Sequence, residues 1–118
     1  MSQRESNQHI SILADIRKKN FRPVYFLMGD ESYYIDLICD EIINCALDDS
    51  ERDFNQTILY GADVDDISLV INAAKRYPMM AARQLVIVKE AQNIRNLDDL
   101  VFYIQKPLMS TVLVVCYK

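Results

Sequence analysis

The chain is 118 residues long, 51% hydrophobic and 25% charged, with only two glycines, which leaves room for one folded domain with one core and excludes a disordered chain. Thirteen basic residues against seventeen acidic ones give a net charge of −4, so the domain as a whole repels a phosphate backbone and reads as a poor nucleic-acid binder. Cys39, Cys45 and Cys116 sit in apolar segments without CxxC spacing or a histidine cluster, which excludes a zinc motif and reads as buried thiols in a reducing compartment.

The N-terminal stretch MSQRESNQHISILADIRKKN holds no apolar run of signal-peptide length, and no later segment approaches the roughly 20 residues that span a bilayer. A cytoplasmic protein without a membrane partner is expected. Within residues 1–20, Ile10, Leu13, Ala14 and Ile16 recur near helical spacing and predict a leading amphipathic helix. Arg17, Lys18 and Lys19 close it, either as cations favoured at a helix C-terminus or as a contact for an acidic partner. Pro23-Val-Tyr-Phe-Leu-Met-Gly29 is a short continuous apolar run ending in glycine, which suits a strand buried on both faces of a parallel sheet. From Tyr33 to about Leu47, Ile35, Ile38, Cys39, Ile42 and Ala46 fall on one helix face. A second strand, Thr57–Tyr60, ends at Gly61. Asp63, Asp65 and Asp66 then open a helix with Ile67, Val70, Ile71 and Ala74 on one side and Lys75 and Arg76 at its close, until Pro78 breaks it. The third strand is Leu85–Val88, a weaker helix runs from about Leu97 to Gln105, and the fourth strand is Thr111–Cys116. Alternating βαβαβαβ elements with continuously apolar strands predict a three-layer α/β sandwich, a mainly parallel sheet between helices. STVLVVCYK stops directly after an apolar strand, so residues 1–118 read as one domain of a longer chain, truncated after its fourth strand.

Two segments invite comparison with nucleotide-binding motifs. GDESYYID follows the first strand where a phosphate loop of the form GxxxxGK[ST] belongs. Gly29 matches the first glycine, but Tyr34, Ile35 and Asp36 replace the second glycine, the phosphate-binding lysine and the magnesium-binding hydroxyl. Asp30, Glu31 and Asp36 bring carboxylates to the helix start, where an anion is wanted by the dipole and a triphosphate would otherwise sit. LVIVKE has the form of the strand that holds magnesium in such enzymes, yet Lys89 replaces the metal-binding acid and leaves Glu90 with nothing to activate. The pattern predicts a P-loop NTPase-like architecture without catalytic, cofactor-binding or metal-binding residues. An active nucleotide hydrolase with an unorthodox site is the competing class.

RYPMMAARQLVIVKE places Met79 and Met80 side by side on a connection before the third strand. Connections lie on surfaces and carry function, whereas methionines seek a core, so the pair is either a lid on this domain or a handle for another protein. PVYFLMGDESYYID, YPMMAARQLVIVKEA and PLMSTVLVVCYK together resemble the N-terminal domain of the delta subunit of bacterial DNA polymerase III, a clamp-loader component and a degenerate member of the AAA+ class. The likeness covers nearly the whole chain. It implies a non-catalytic domain within a DNA-directed DNA polymerase assembly, one that does not use ATP itself, binds the beta sliding clamp and helps open it for loading onto primed DNA. By position, Met79 and Met80 match the family's apolar doublet that docks in a hydrophobic pocket of the clamp, where many relatives carry Leu-Phe or Phe-Phe. Tyr77 and Arg83 flank the doublet as further contacts, Arg83 with an equal claim to stabilising the local fold. The resemblance also implies gamma/tau and delta-prime subunits as partners and DNA only through the assembly. Tyr33 and Tyr34 read either as part of a contact with a neighbouring subunit or as half-buried tyrosines with a wet hydroxyl. A delta-prime-like adaptor is the remaining alternative.

Overall fold

The computed structural model describes residues 3–29 and 32–117, and side chains from Ile10 onward. The expected placements of Asp30 and Glu31 therefore lie outside the described residues, as does the side chain of His9. Helix α1 (Gln3–Arg17) leads to strand β1 (Val24–Met28), α2 (Ser32–Ala46), α3 (Asp49–Asn55), β2 (Gln56–Tyr60), α4 (Ile67–Ala74), β3 (Gln84–Lys89), α5 (Leu100–Gln105) and β4 (Thr111–Tyr117). The four strands form one all-parallel sheet in the order β1-β4-β3-β2.

The period-2 alternation of strands assigns the two halves of the core. Leu85 and Ile87 of β3, with Val112, Val114 and Cys116 of β4, face α1 and α2. Val86 and Val88, with Leu113 and Val115, face the opposite layer, where Val70, Ala73, Leu100 and Tyr103 of α4 and α5 meet them. Each fully buried branched aliphatic side chain contributes about 1.5–3 kcal/mol, which is why the two central strands read as unbroken apolar runs. Helix α2 buries Ile35, Ile38, Cys39, Ile42 and Ala46, the face that the spacing predicts.

Four local outcomes differ from the sequence reading. Strand β1 is not covered on both faces: Tyr25 and Leu27 point into the core, but Phe26 and Met28 are exposed. The cause is its place at the sheet edge, beside the footprint of α4 and α5, so only one face finds a helix. Helix α3 is additional. It follows Asp48, whose backbone N–H donates to Glu51 Oε1 at 2.9 Å, half of a capping box. In the acidic run before α4, only Asp66 caps the helix, accepting from Ser68 N–H at 2.9 Å, while Asp63 belongs to a separate 3-10 turn, Gly61–Asp63. The weaker helix resolves into a 3-10 turn, Leu97–Asp99, followed by α5.

Helix α1 stops because Lys19 takes a left-handed conformation at φ 60°, with Lys19 and Asn20 N–H donating back to Ile16 and Asp15 carbonyls at 2.9 Å. Arg17 pairs with Glu41 of α2 at 3.3 Å. None of the described helices is long and apolar enough to cross a membrane.

Candidate functional site

In a parallel sheet all strands start at one edge, and the connection from α4 to β3, residues 75–83, crosses that edge. Its ends are pinned by buried polar groups. Gln84 is buried at the start of β3, and its Nε2 reaches the carbonyls of Arg76 at 2.6 Å and Ala73 at 3.0 Å and the hydroxyl of Thr111 at 2.9 Å. The Thr111 hydroxyl in turn donates to the Ala74 carbonyl at 2.7 Å. Buried amides are costly unless paired, so this network fixes where α4 ends and the connection begins.

The middle of the connection is held by a single side chain. Asn55, buried at the end of α3, accepts from the Met79 N–H at 2.7 Å and donates through Nδ2 to the Met79 carbonyl at 2.9 Å. With the backbone of Met79 clasped from one side, its side chain is 60% exposed, and that of Met80 is fully exposed. Met80 also sits at φ 55°, a left-handed conformation uncommon for any residue other than glycine. Such strain costs of order 1–3 kcal/mol and persists only where neighbouring contacts over-determine it. Tyr77 stands exposed beside the pair. Arg83 does not: it is half-buried, with its guanidinium carbon 4.7 Å from the centre of the Phe21 ring and Nη1 donating to the Ala46 carbonyl at 3.5 Å.

The opposite edge, where the strands end, holds the two segments compared above with nucleotide-binding motifs. Gly29 ends β1 at φ 133°. Ile35 is buried in the core rather than presented to a ligand, and Tyr34 is half-buried, its ring 5.3 Å from that of exposed Tyr33 in an edge-on arrangement. Asp36, Cys39, Tyr60, Lys89, Glu90 and Cys116 surround a cavity of about 110 Å³. Small-molecule sites begin at about 300 Å³. Glu90 takes a left-handed backbone conformation at φ 56°. Gly61 passes so close beneath that a Cβ there would lie 1.9 Å from the Glu90 carbonyl oxygen. In the cavity wall, the hydrogen bond from Cys116 and the nearby Lys89 ammonium hold the Cys39 thiol below its ordinary value against the opposing effect of burial.

The sequence pattern of the family "DNA polymerase III, delta subunit" matches residues 25–118. The chain belongs to the DNA polymerase III delta-subunit family. A relative, DNA polymerase III subunit delta of Bacillus subtilis, is 30% identical over 110 residues, which cover 85% of this chain and 31% of that protein. The solved structure of the Bacillus subtilis DNA clamp loader delta protein superposes with a TM-score of 0.80 at 28% identity, over 92% of this chain and 35% of that one. This delta-family chain thus spans about a third of the length of the relatives it matches, and its fold is AAA+-like.

On this delta-family fold, the residues singled out from sequence fall at two edges. Met79, Met80 and Tyr77 share one, with Arg83 packed against Phe21 and Ala46; Gly29, Tyr34, Ile35, Asp36, Lys89 and Glu90 lie toward the other. Asn55 and Gln84, which hold the first group in place, escape sequence reasoning. Each is an isolated polar residue at an element boundary and contributes to no periodic pattern.

Proposed function

We propose that this chain is the clamp-gripping part of a clamp-loader delta subunit, binding the beta sliding clamp through Met79 and Met80, with Tyr77 beside them and Arg83 as the strut behind. The observation that carries this reading is the outward projection of two adjacent methionines from a backbone clasped by Asn55. An exposed apolar pair on a fixed turn suits insertion into a pocket, because the ordering cost is met before binding. Methionine is unbranched and polarizable, and adapts to a pocket without demanding a ring orientation. Burying one such side chain contributes about 1.5–3 kcal/mol, and a few anchors dominate most interfaces. Opening the ring requires more than grip: the domain must bind the opened clamp better than the closed one, since a ligand shifts an equilibrium only by differential affinity.

ATP plays no part in this domain on the same reading. The cavity near Lys89 and Glu90 is small, and its lining among the described residues is Asp36, Cys39, Tyr60, Lys89, Glu90 and Cys116. Replication in the cytoplasm, with gamma/tau and delta-prime subunits as partners and DNA reached only through the assembly, completes the picture. The exposed ring of Tyr33, stacked edge-on against Tyr34, is the surface assigned to a neighbouring loader subunit.

The test is capture of the cognate sliding clamp by the wild-type chain and by the Met79→Ala/Met80→Ala variant. Losing about 1.5 kcal/mol at each position weakens binding roughly 100-fold. A folded double variant that captures clamp as well as wild type refutes the assignment. Saturable binding of a fluorescent ATP analogue in magnesium would instead favour a hydrolase.

A further inference from the structure

Tyr77, two residues before Met79, also lines a second opening whose wall does not include the methionines. The C-terminal end of α4, the end of α5 and the loop before β4 enclose a cleft of about 330 Å³ lined by Lys75, Tyr77, Tyr103, Lys106, Pro107 and Leu108. Its floor is rigid. The buried Tyr103 hydroxyl accepts from the Leu108 N–H at 3.2 Å and donates to the Ala74 carbonyl at 3.5 Å, so one phenol ties both walls together. Gln84 N–H bonds to the Ser110 carbonyl at 2.9 Å, joining the second loop to the start of β3.

Charge makes the cleft selective. Residues 75–83 and 105–110 contain Lys75, Arg76, Arg83 and Lys106 and no carboxylate, in a chain whose net charge is −4. Arg83 is occupied by Phe21 and Ala46. Lys75 and Lys106 are exposed and line the same cleft, and neither has an ion-pair partner among the described residues. A lysine at a helix C-terminus is commonplace as a complement to the dipole. Two such lysines from different helices converging on one opening, with exposed Tyr77 in its wall, form a local cationic site on an acidic molecule.

We propose that this cleft receives a carboxylate side chain from the rim of the same pocket that Met79 and Met80 enter, so that the partner surface is apolar at its centre and acidic at its edge. The inference rests on the methionine pair being a partner anchor. A protein carboxylate fits better than a nucleic-acid phosphate because the cleft is walled by the exposed ring of Tyr77 and by Pro107 and Leu108, apolar surface that a phosphate backbone does not cover. The lysines act at the rim, where charges govern encounter rate and partner choice more than core affinity.

The experiment measures association of the full chain with the cognate sliding clamp over a series of salt concentrations. Lys75→Glu/Lys106→Glu is expected to weaken binding by about tenfold or more at low salt, mainly through slower association, with the difference shrinking as salt screens the rim. Lys75→Arg/Lys106→Arg is expected to bind like wild type, and Lys75→Gln/Lys106→Gln to fall between. The neutral variant decides the matter should charge reversal impair folding, as judged by a thermal melt. If the lysine variants match wild type at every salt concentration while Met79→Ala/Met80→Ala loses the clamp, the cleft assignment is overturned and the grip stands. If neither set weakens binding, both are overturned. Equal loss in the glutamate and arginine variants, independent of salt, also overturns the carboxylate, as does binding of primed DNA that depends on Lys75 and Lys106.

Discussion

Replacing Asn55 with alanine removes the clasp on the methionine turn without touching a methionine. Three hydrogen bonds disappear: to the Glu51 carbonyl at 3.0 Å within α3, and to the Met79 carbonyl and N–H at 2.9 and 2.7 Å across the edge. A net intramolecular hydrogen bond contributes about 0.5–1.5 kcal/mol, so the two cross-edge bonds together hold the turn by roughly 1–3 kcal/mol. Because Met79 is largely exposed, water takes up the freed backbone groups, and the loss is local rather than global. At about 1.4 kcal/mol per factor of ten, the Met79 amide should exchange its hydrogen roughly 5- to 150-fold faster in Asn55→Ala. Clamp affinity should fall by no more than that factor, since the turn must then be ordered on binding. Hydrogen exchange resolved at Met79, run beside a binding titration, reads both. An unchanged exchange rate with unchanged affinity would show that the clasp does not position the turn.

Other positions report on separate parts of the structure. Met80→Gly removes the side chain while relieving the left-handed backbone at φ 55°, so it should weaken clamp binding yet stabilise the fold by roughly 1 kcal/mol, read as a higher urea midpoint; a midpoint that falls contradicts the strain. Gly61→Ala puts a methyl into the Glu90 carbonyl and should destabilise the fold by about 1–3 kcal/mol or more in the same assay. Asp66 accepts from the Ser68 backbone and then from Asn96, which holds its carboxyl below the usual carboxylate range. A depressed folded pKa gives stability that is present above the unfolded value and lost as pH falls through the folded one. Unfolding followed across that acid window should therefore show the advantage of wild type over Asp66→Asn shrinking as pH drops; an advantage that is constant with pH removes the ionised cap.

Much of this fold is legible because its central elements are repetitive. Strands β3 and β4 announce themselves as unbroken apolar runs, and α2 by the spacing of Ile35, Ile38 and Ile42. What the sequence does not carry is neighbourhood. VYFLM reads the same whether one face or two are covered, and only the strand order reveals that Phe26 and Met28 lie at an edge. Helix α3, DSERDFN, lacks an apolar stripe, so its periodicity says nothing; the spacing of Asp48 and Glu51 was the available signal. At the candidate site the exposed doublet could be found from sequence, but its support could not. Asn55 and Met79 are 24 residues apart in the chain, and nothing local to either one predicts their contact.

The central claim, that Met79 and Met80 enter a pocket on the sliding clamp, is tested most directly by following the methyl groups of the methionines. The chain has five, and Met28 ends β1 at the opposite edge of the sheet from the methionine turn. With the methyls isotopically labelled, adding cognate clamp should shift or broaden the Met79 and Met80 signals while leaving Met28 in place. Binding that perturbs Met28 and leaves Met79 and Met80 unchanged would contradict the account.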